Sequence, residues 1–374
     1  MIIIEEVKTK KQIKEFVLFP NKLYWDCEYY VPMINVDEIN NFNPKKNPAF
    51  EECDVVMYVA KKDGKIVGRI CGIIQHTYNK KNNCKKVRFS RFDSINDQEV
   101  ANALFDKVTA WAKEKGMTEI IGPLGFNDLD REGLLIEGFD RLSTYETQYS
   151  YDYYPTLIEN YGFKKDIDWI EQRLQLPKQV DERYVRIGQK VLEKYNLKIV
   201  DGLSKKAFIK KYGDKIFDLI DEGYAELYGT IPYSPKTRKL ILKNFGLALN
   251  LKLMTLVVDE NDNPVAYALI LPSMSEAVRD CHGKLLPFGM FKILHAIKHP
   301  KVVDFALVTI KKEYRSTGLN SVIFSELIKN MLAMGVTECE TNLNLEDNYA
   351  IQNMWHHFEK ELHKRRRSYI KKID

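Results

Sequence analysis

The sequence contains no run of eighteen apolar residues, so it predicts no segment that spans a membrane. Its start, MIIIEEVKTK, lacks the basic opening and long apolar centre of a signal peptide and predicts a first β-strand instead. Six cysteines are scattered along the 374 residues, and none forms a Cys-x-x-Cys pair. This spacing favours reduced thiols over a disulfide framework, and together these absences predict a cytoplasmic protein.

The chain also has little excess of charge of either sign. The 57 basic and 52 acidic side chains leave a formal net charge of +5, which is too small and too dispersed to indicate a nucleic-acid partner. No metal site is predicted either. His295 and His299 share a face on a helix, but no third ligand or H-E-x-x-H glutamate accompanies them, and the carboxylates of residues 127–132 lack calcium-loop spacing.

What the chain does contain is one pattern that occurs twice. VVMYVAKKDGKIVGRICGII and LMTLVVDENDNPVAYALILP each predict a β-hairpin. An amphipathic helix follows in each half and ends at Gly116 or Gly335, within the similar endings KGMTEI and MGVTEC. Hairpins and helices also recur by chance in many folds, but the shared order favours a duplicated module.

The length of the chain agrees with two domains. The predicted fold class is α+β with α/β-type layering, in which each module is a mixed, mostly antiparallel sheet flanked by helices. The predicted boundaries are 1–176 for the N-terminal module, 177–194 for a linker that begins near PKQVDERY, and 195–374 for the C-terminal module.

The stretch TIKKEYRSTGLNS lies between an alternating strand pattern, VVDFALVTI, and a helical pattern, NSVIFSELIKNMLA. The start of a helix carries backbone N–H groups without partners and a partial positive charge, so a loop that wraps ahead of it can bind an anion. Gly318 would let the backbone approach such an anion, and Arg315 could add charge-assisted hydrogen bonds. The alternative is an ordinary strand-to-helix turn in which Arg315 is solvated.

These residues resemble the acyl-CoA pyrophosphate loop of the GNAT acetyltransferases, which follows the pattern R/Q-x-x-G-x-G/A. IKKEYRSTGLNSVIFSELI is similar to the fourth strand, loop and third helix of that family, and ETNLNLEDNYAIQNMWHHF to its fifth strand and next helix. In the first half, YPTLIENYGF is similar to the sequence pattern near the end of a GNAT module. FPNKLYWDCEYYVPMI, NNFNPKKNPAF, GLLIEGFD and LLPFGM resemble segments of bacterial tandem-GNAT proteins. The resemblance therefore covers nearly all of the chain.

The resemblance implies acetyl-CoA or another acyl-CoA as cosubstrate, bound by the second half without a metal. It implies that the strand backbone aligns the pantetheine arm, that the loop holds the pyrophosphate and that an Asn contacts the arm. The corresponding residues are Leu307, Val308, Thr309 and Ile310 for the strand, Arg315, Ser316, Thr317, Gly318, Leu319 and Asn320 for the loop, and Asn348 for the Asn.

Three departures from the family pattern bear on activity. Asn320 replaces the last small residue of the loop, although Asn tolerates positive φ better than most residues. Trp355 stands where the family often has a Tyr that protonates the leaving thiolate. No such loop occurs in the first half, between VRFSRFDS and its helix, so we expect that half to be a scaffold or a wall of the substrate site.

No side chain is assigned as catalytic base or acid, and two weak candidates come from DEGYAELYGTIPYSP. Its position resembles the acceptor-side helices of GNAT modules, which makes Glu226 and Tyr233 candidates for lining the substrate site. The alternative is that Tyr224, Leu227 and Tyr228 form a core stripe and Glu226 lies on a solvated face. The basic cluster HKRRRSY, at 363–369, predicts a solvated edge strand, because charges commonly protect sheet edges.

The function that the resemblance implies is transfer of an acyl group, with acetyl the first expectation, from acyl-CoA to an amine of a small molecule or peptide. One rival is a protein that binds acyl-CoA without turnover, given Trp355 and Asn320. A second rival is a transferase that uses aminoacyl-tRNA, although the helical arm and strongly basic face usual there are not evident. The oligomeric state stays open, with a homodimer among the alternatives.

Overall fold

The structure is a computed structural model that describes residues 1–245 and 249–373. Over these ranges the strands are β1 (Ile2–Glu6), β2 (Cys53–Lys62), β3 (Lys65–Gln75), β4 (Lys86–Ser94), β5 (Glu119–Gly122), β6 (Leu134–Glu137), β7 (Lys164–Gln175), β8 (Lys198–Ile199), β9 (Met254–Val258), β10 (Pro264–Pro272), β11 (Val302–Ile310), β12 (Glu338–Thr341), β13 (Asn344–Leu345) and β14 (Glu359–Lys372). The helices are α1 (Lys10–Leu23), α2 (Asn35–Asn41), α3 (His76–Lys81), α4 (Gln98–Glu114), α5 (Tyr154–Asn160), α6 (Glu182–Lys194), α7 (Lys205–Gly223), α8 (Pro235–Phe245), α9 (Ser275–Asp280), α10 (Gly289–Lys298), α11 (Leu319–Ala333) and α12 (Tyr349–Met354). Short 3-10 helices lie at Pro48–Glu51, Leu251–Leu253, Lys312–Tyr314 and Trp355–His357.

The chain forms two compact units that do not follow chain order strictly. The N-terminal unit contains Met1–Ile170, Met274–Ile293 and the residues from His363 onward. The C-terminal unit contains Glu171–Ser273 and Leu294–Leu362. The boundaries predicted from the sequence do not include this exchange of segments, and the stretch 177–194, predicted as a linker, contains α6.

In the N-terminal unit, β1 to β4 are antiparallel neighbours, and β5 then pairs parallel with β4. The turn between β2 and β3 places Asp63 and Gly64 at φ 52° and 74°, as a tight hairpin requires. The parallel step from β4 to β5 is made through α4. Asp97 caps this helix by accepting a hydrogen bond from Glu99 N at 3.0 Å, and Val100, Leu104 and Val108 are fully buried against the sheet.

The C-terminal unit repeats this order. β8 to β11 are antiparallel neighbours, and β12 pairs parallel with β11 after the crossover through α11. Val322, Leu327 and Ile328 of α11 are buried in the core of this unit. Both units are therefore mixed sheets flanked by helices, and the predicted α+β class is confirmed.

The prediction for the basic cluster at 363–369 is wrong. β14 is not an edge strand, because it lies between β5 and β7 in the sheet order and also pairs with β6. Arg366 is fully buried and donates to Thr147 Oγ1 at 3.0 Å and to Gln148 O. Its neighbours Arg365 and Arg367 share the other face and both contact Asp168. A buried Arg inside a strand is stable here because its donors find acceptors.

The cysteines fit the expectation from their spacing. All six cysteines are free. Among the described residues, no helix has both the length and the apolar character needed to cross a bilayer.

Candidate functional site

Strand β11 leaves its parallel neighbour halfway along its length. β11 pairs with β12 from Val302 to Phe305, and Asn342 N then donates to Phe305 O at 3.2 Å. From Leu307 to Ile310, pairing within the described residues continues only with β10, after an irregularity at Leu269 and Ile270 of that strand. The second half of β11 therefore has one edge that no strand occupies, and such an edge can pair with an extended, amide-bearing molecule.

The hydroxyl of Tyr224 contacts this edge. It donates to Val308 O at 3.2 Å and accepts from Val308 N at 3.3 Å. Tyr224 directly follows α7, whose last residue, Gly223, lies so close to β11 that a Cβ there would be 2.0 Å from Thr309 Oγ1. A helix end without a side chain thus brings Tyr224 onto the strand. In the sequence, Tyr224 entered only the alternative of a core stripe, and the approach of Gly223 reveals its polar contact.

The loop after β11 leads into the start of α11. Ser316 and Gly318 both have positive φ, 65° and 91°. Among the described residues, the backbone N–H groups of Gly318, Leu319 and Asn320 have no protein acceptor. Because α11 has 15 residues, its dipole adds a partial positive charge at this end. The loop can therefore bind an anion through its main chain.

Two side chains of the loop donate hydrogen bonds to nearby main-chain carbonyl groups. Arg315 is exposed, and its Nε donates to Ile310 O at 3.0 Å. Thr317 Oγ1 donates to Tyr314 O at 2.7 Å. A Cβ on Gly318 would lie 3.1 Å from Ile187 Cγ2 of α6, so both the positive φ and the contact with α6 require glycine at this position.

The comparisons with sequences of known proteins find relatives along almost the whole chain, although no family model matches it. Protein YghO of Escherichia coli (strain K12) is 27% identical to this chain, in an alignment that covers 97% of this chain and 94% of that protein. The bacterial ceramide synthase of Caulobacter vibrioides (strain NA1000 / CB15N) is 23% identical, covering 93% of this chain and 91% of that protein.

Among solved structures, a tandem GNAT protein from the clavulanic acid biosynthesis pathway matches 100% of this chain and 99% of its own, with a TM-score of 0.58 at 12% identity. The chain has a tandem GNAT fold. A GCN5-related N-acetyltransferase from Sphaerobacter thermophilus covers 100% of this chain and 96% of its own, with a TM-score of 0.50 at 10% identity. At these identities the likeness concerns the fold, and it confirms the duplicated GNAT architecture.

Within this GNAT fold, two residues singled out by the resemblance have structural roles. Asn348 caps α12, because its Oδ1 accepts from Ile351 N at 3.3 Å, and its role at a pantetheine arm remains a prediction. Trp355 is 1% exposed and lies in the core of the C-terminal unit, where its ring centroid is 5.0 Å from that of Phe305. Its Nε1 donates to Asn344 Oδ1 at 2.8 Å, so the indole fills the core and has its one donor satisfied.

The two weak catalytic candidates lie in different environments. Glu226 is exposed, whereas Tyr233 is buried, with its ring packed edge-on against Phe217 at 5.6 Å. Tyr233 N donates to Asp221 Oδ1 at 3.2 Å, which ties this segment to α7. Both assignments remain predictions.

The N-terminal unit contains a polar pocket that the sequence analysis did not predict. Its enclosed space is about 20 Å³, enough for about one water molecule. The charged residues that line it, Glu38, Arg69, Arg91, Asp93 and Arg131, are all buried. A signal was present in the sequence, because Arg69 is the one charged residue in the apolar run IVGRICGII.

Two of these arginines are paired with carboxylates. Arg69 Nε donates to Asp93 Oδ2 at 2.8 Å, and Tyr24 donates to Asp93 Oδ1 at 3.0 Å. Arg91 Nε donates to Glu38 Oε1 at 2.7 Å. Arg91 lies at φ 50°, in a bulge where β3 and β4 lose register. A bulge of this kind turns a side chain out of the regular alternation along a strand. Here Arg69 of β3 and Arg91 of β4, on the two sides of the bulge, both line the pocket.

Arg131 is different because it has no ion pair among the described residues. Its Nε and an Nη donate to Tyr145 O at 3.1 and 2.7 Å, and the same Nη donates to Val31 O at 3.1 Å. Burial lowers the pKa of Arg131, although the charge of Glu38 opposes this. Arg131 is therefore a buried cation held by main-chain carbonyl oxygens.

Glu146, close to Arg131, should make the stability of the chain depend on pH. Burial raises the pKa of Glu146 to about 7, and the charge of Arg131 acts in the opposite direction. A carboxyl group that holds its proton more tightly when folded stabilises the fold at low pH, and this contribution is lost as the pH rises through 7. We expect the wild type to lose up to about 3 kcal/mol between about pH 5 and pH 8 relative to Glu146→Gln.

The measurement is the free energy of unfolding by urea at both pH values. The matched control is Glu222→Gln, which changes an exposed glutamate and should keep the pH dependence of the wild type. Parallel pH curves for the wild type and Glu146→Gln would contradict the assignment.

Proposed function

We propose that this chain transfers an acyl group from acyl-CoA to an amine and that its C-terminal unit binds the acyl-CoA. The observation that carries the proposal is the combination at the end of β11: a strand edge that no strand occupies, followed by helix N–H groups that have no acceptor. The strand edge can pair with the amides of an extended pantetheine arm, and the helix N–H groups can bind a diphosphate. The tandem GNAT fold supports the same activity.

The residues of β11 and of the loop that follows it each have a part in this proposal. The main chain of residues 316–320 binds the diphosphate, and Arg315 exchanges its bond to Ile310 O for a charge-assisted bond to a phosphate oxygen. The main chain of residues 307–310 aligns the arm. Tyr224 gives up its bonds to Val308 where the arm takes them, or keeps them at the margin of the acyl group.

In the reaction, the neutral amine attacks the thioester carbonyl carbon. A carbon–nitrogen bond forms, the carbon–sulfur bond breaks, and the coenzyme leaves as a thiolate that takes up a proton as the amine loses one. Backbone N–H groups of the separated strand are the donors available to the developing oxyanion. Trp355 is no proton donor in this scheme, because its indole N–H is already bonded to Asn344 within the core.

The test is a thiol-release assay on the full chain beside a titration with coenzyme A. Acetyl-CoA and a long-chain acyl-CoA are each combined with small amines, a peptide amine and a long-chain amino alcohol. The last acceptor is chosen because the relative from Caulobacter vibrioides is named a ceramide synthase, and ceramide is an amide of such an alcohol. We expect release of thiol that depends on both the acyl-CoA and one class of acceptor.

Two other outcomes have a defined meaning. Tight binding of acyl-CoA without thiol release for any acceptor would replace the proposal with an acyl-CoA-binding protein. The absence of both binding and release would remove the loop at 315–320 from consideration.

A further inference from the structure

Residues 284–293 expose several large apolar side chains next to one another. Leu286, Phe288 and Phe291 are 81%, 70% and 70% exposed, and Leu294, later in α10, is also exposed. Elsewhere in the described residues, exposed large apolar side chains occur singly or in pairs close in sequence, such as Met1 with Ile3 and Val185 with Ile187. Scattered apolar residues are normal on a protein surface, whereas a contiguous group marks a place where something binds.

This segment is held in place, so its exposure is not that of a frayed end. Met290 N donates to Leu285 O at 2.8 Å, and Lys292 N donates to Phe288 O at 3.2 Å. On the opposite side Ile293 is buried. Just upstream, Gly283 O accepts from Asn35 N at 2.9 Å and His282 stacks on Trp25 at 4.4 Å, which fixes the segment to the N-terminal unit.

The charged residues that neighbour the apolar group in the sequence have one sign. Between Asp280 and Asp304 the sequence contains no acidic residue, but it contains Lys284, Lys292, Lys298 and Lys301. Lys284 and Lys292 flank the three apolar residues and are exposed. They form no ion pair among the described residues. Large apolar side chains flanked by lysines are the composition of elements that lie in the interface of an anionic membrane.

We propose that residues 284–293 dock the chain onto an anionic lipid surface, with Leu286, Phe288 and Phe291 entering the boundary between headgroups and acyl chains. Lys284 and Lys292 contact the headgroup phosphates, with their stems along the apolar surface. A second copy of the chain is a poorer occupant, because a symmetric contact through this face would bring lysines against lysines. The proposal does not depend on acyl transfer, so the two can fail separately.

The test is co-sedimentation of the full chain with vesicles of phosphatidylcholine alone or with about 30% phosphatidylglycerol. We expect binding to the anionic vesicles that weakens with added salt, since surface electrostatics are screened. Phe288→Ser/Phe291→Ser should lower the partition coefficient on anionic vesicles by roughly 100-fold, and Lys284→Gln/Lys292→Gln by roughly tenfold. Both pairs change exposed side chains, and far-UV circular dichroism checks the fold.

The matched control is Ile3→Ser, which removes an exposed apolar side chain of β1 and should leave the partition coefficient unchanged. Three results would overturn the proposal: no binding to anionic vesicles at low salt, equal binding by the wild type and Phe288→Ser/Phe291→Ser, or equal loss with Ile3→Ser. A wild-type dimer in light scattering that Phe288→Ser/Phe291→Ser turns into a monomer would also overturn it, because a second copy would then cover this face.

Discussion

Replacing Gly318 by valine should lower the affinity of the chain for coenzyme A by roughly 100-fold. At φ 91° a β-branched residue is strongly disfavoured, and its Cβ would press on Ile187 at 3.1 Å, so the loop has to rotate and its N–H groups turn away from the diphosphate. The loss of two charge-assisted hydrogen bonds at about 1.5 kcal/mol each accounts for a factor of this size. Isothermal titration with coenzyme A measures it.

Helix α11 itself supplies the matched control. Gly335 follows its C-terminal end at φ 74°, and a Cβ there would meet no atom within 4 Å. Gly335→Val therefore imposes similar backbone strain, about 1–2 kcal/mol in stability, without reaching the loop. We expect its affinity for coenzyme A to equal that of the wild type. Equal losses in both variants would mean that strain in α11, and not the loop, sets the affinity.

Arg315→Glu tests the charge of the same loop without backbone strain. Arg315 is exposed, so the fold should tolerate the change, whereas the affinity for coenzyme A should fall further than with Arg315→Gln. Unchanged affinity in Arg315→Glu would remove Arg315 from the proposed site.

Local signals in the sequence were sufficient to predict most of the repeated core. Asp63-Gly64 specifies a tight hairpin wherever it occurs between strands, and Asp97 and Gly116 mark helix ends because of backbone properties of these residue types. The helical pattern predicted from Asn320 onward begins one residue earlier in α11, at Leu319, with Gly318 as its N-terminal cap. Such features depend on a few neighbouring residues, which is why they can be read without knowledge of the rest of the chain.

The features that the sequence did not reveal depend on distant residues. β14 is an inner strand because it lies between β5 and β7, and nothing between residues 363 and 369 records those partners. The pocket of the N-terminal unit joins Glu38, Asp93 and Arg131 from three separate segments. Tyr224 has the spacing of a core residue, and its hydroxyl finds Val308 only because Gly223 lets α7 approach.

Removing Asp93 should destabilise the chain by about 3–5 kcal/mol, whereas removing its partner Arg69 should cost less at low pH. Both side chains are buried and are joined at 2.8 Å. Asp93→Ala leaves a buried guanidinium that cannot lose its proton, so its charge stays uncompensated at every accessible pH. Arg69→Met leaves a carboxyl group that can take up a proton instead, and burial already raises the pKa of Asp93.

The two variants should therefore respond differently to pH. A carboxyl group whose pKa is raised in the folded state stabilises the fold only while it is protonated, so Arg69→Met should become less stable relative to the wild type as the pH rises from about 5 to 8. Asp93→Ala has no carboxyl group at this position, so its deficit relative to the wild type should not grow over the same range. Urea unfolding of the wild type, both single variants and Arg69→Met/Asp93→Leu measures this, and the double variant should be more stable than Asp93→Ala. A deficit in Arg69→Met that does not change with pH would show that Asp93 stays charged without Arg69, held by its hydrogen bonds from Tyr24 and Gln148.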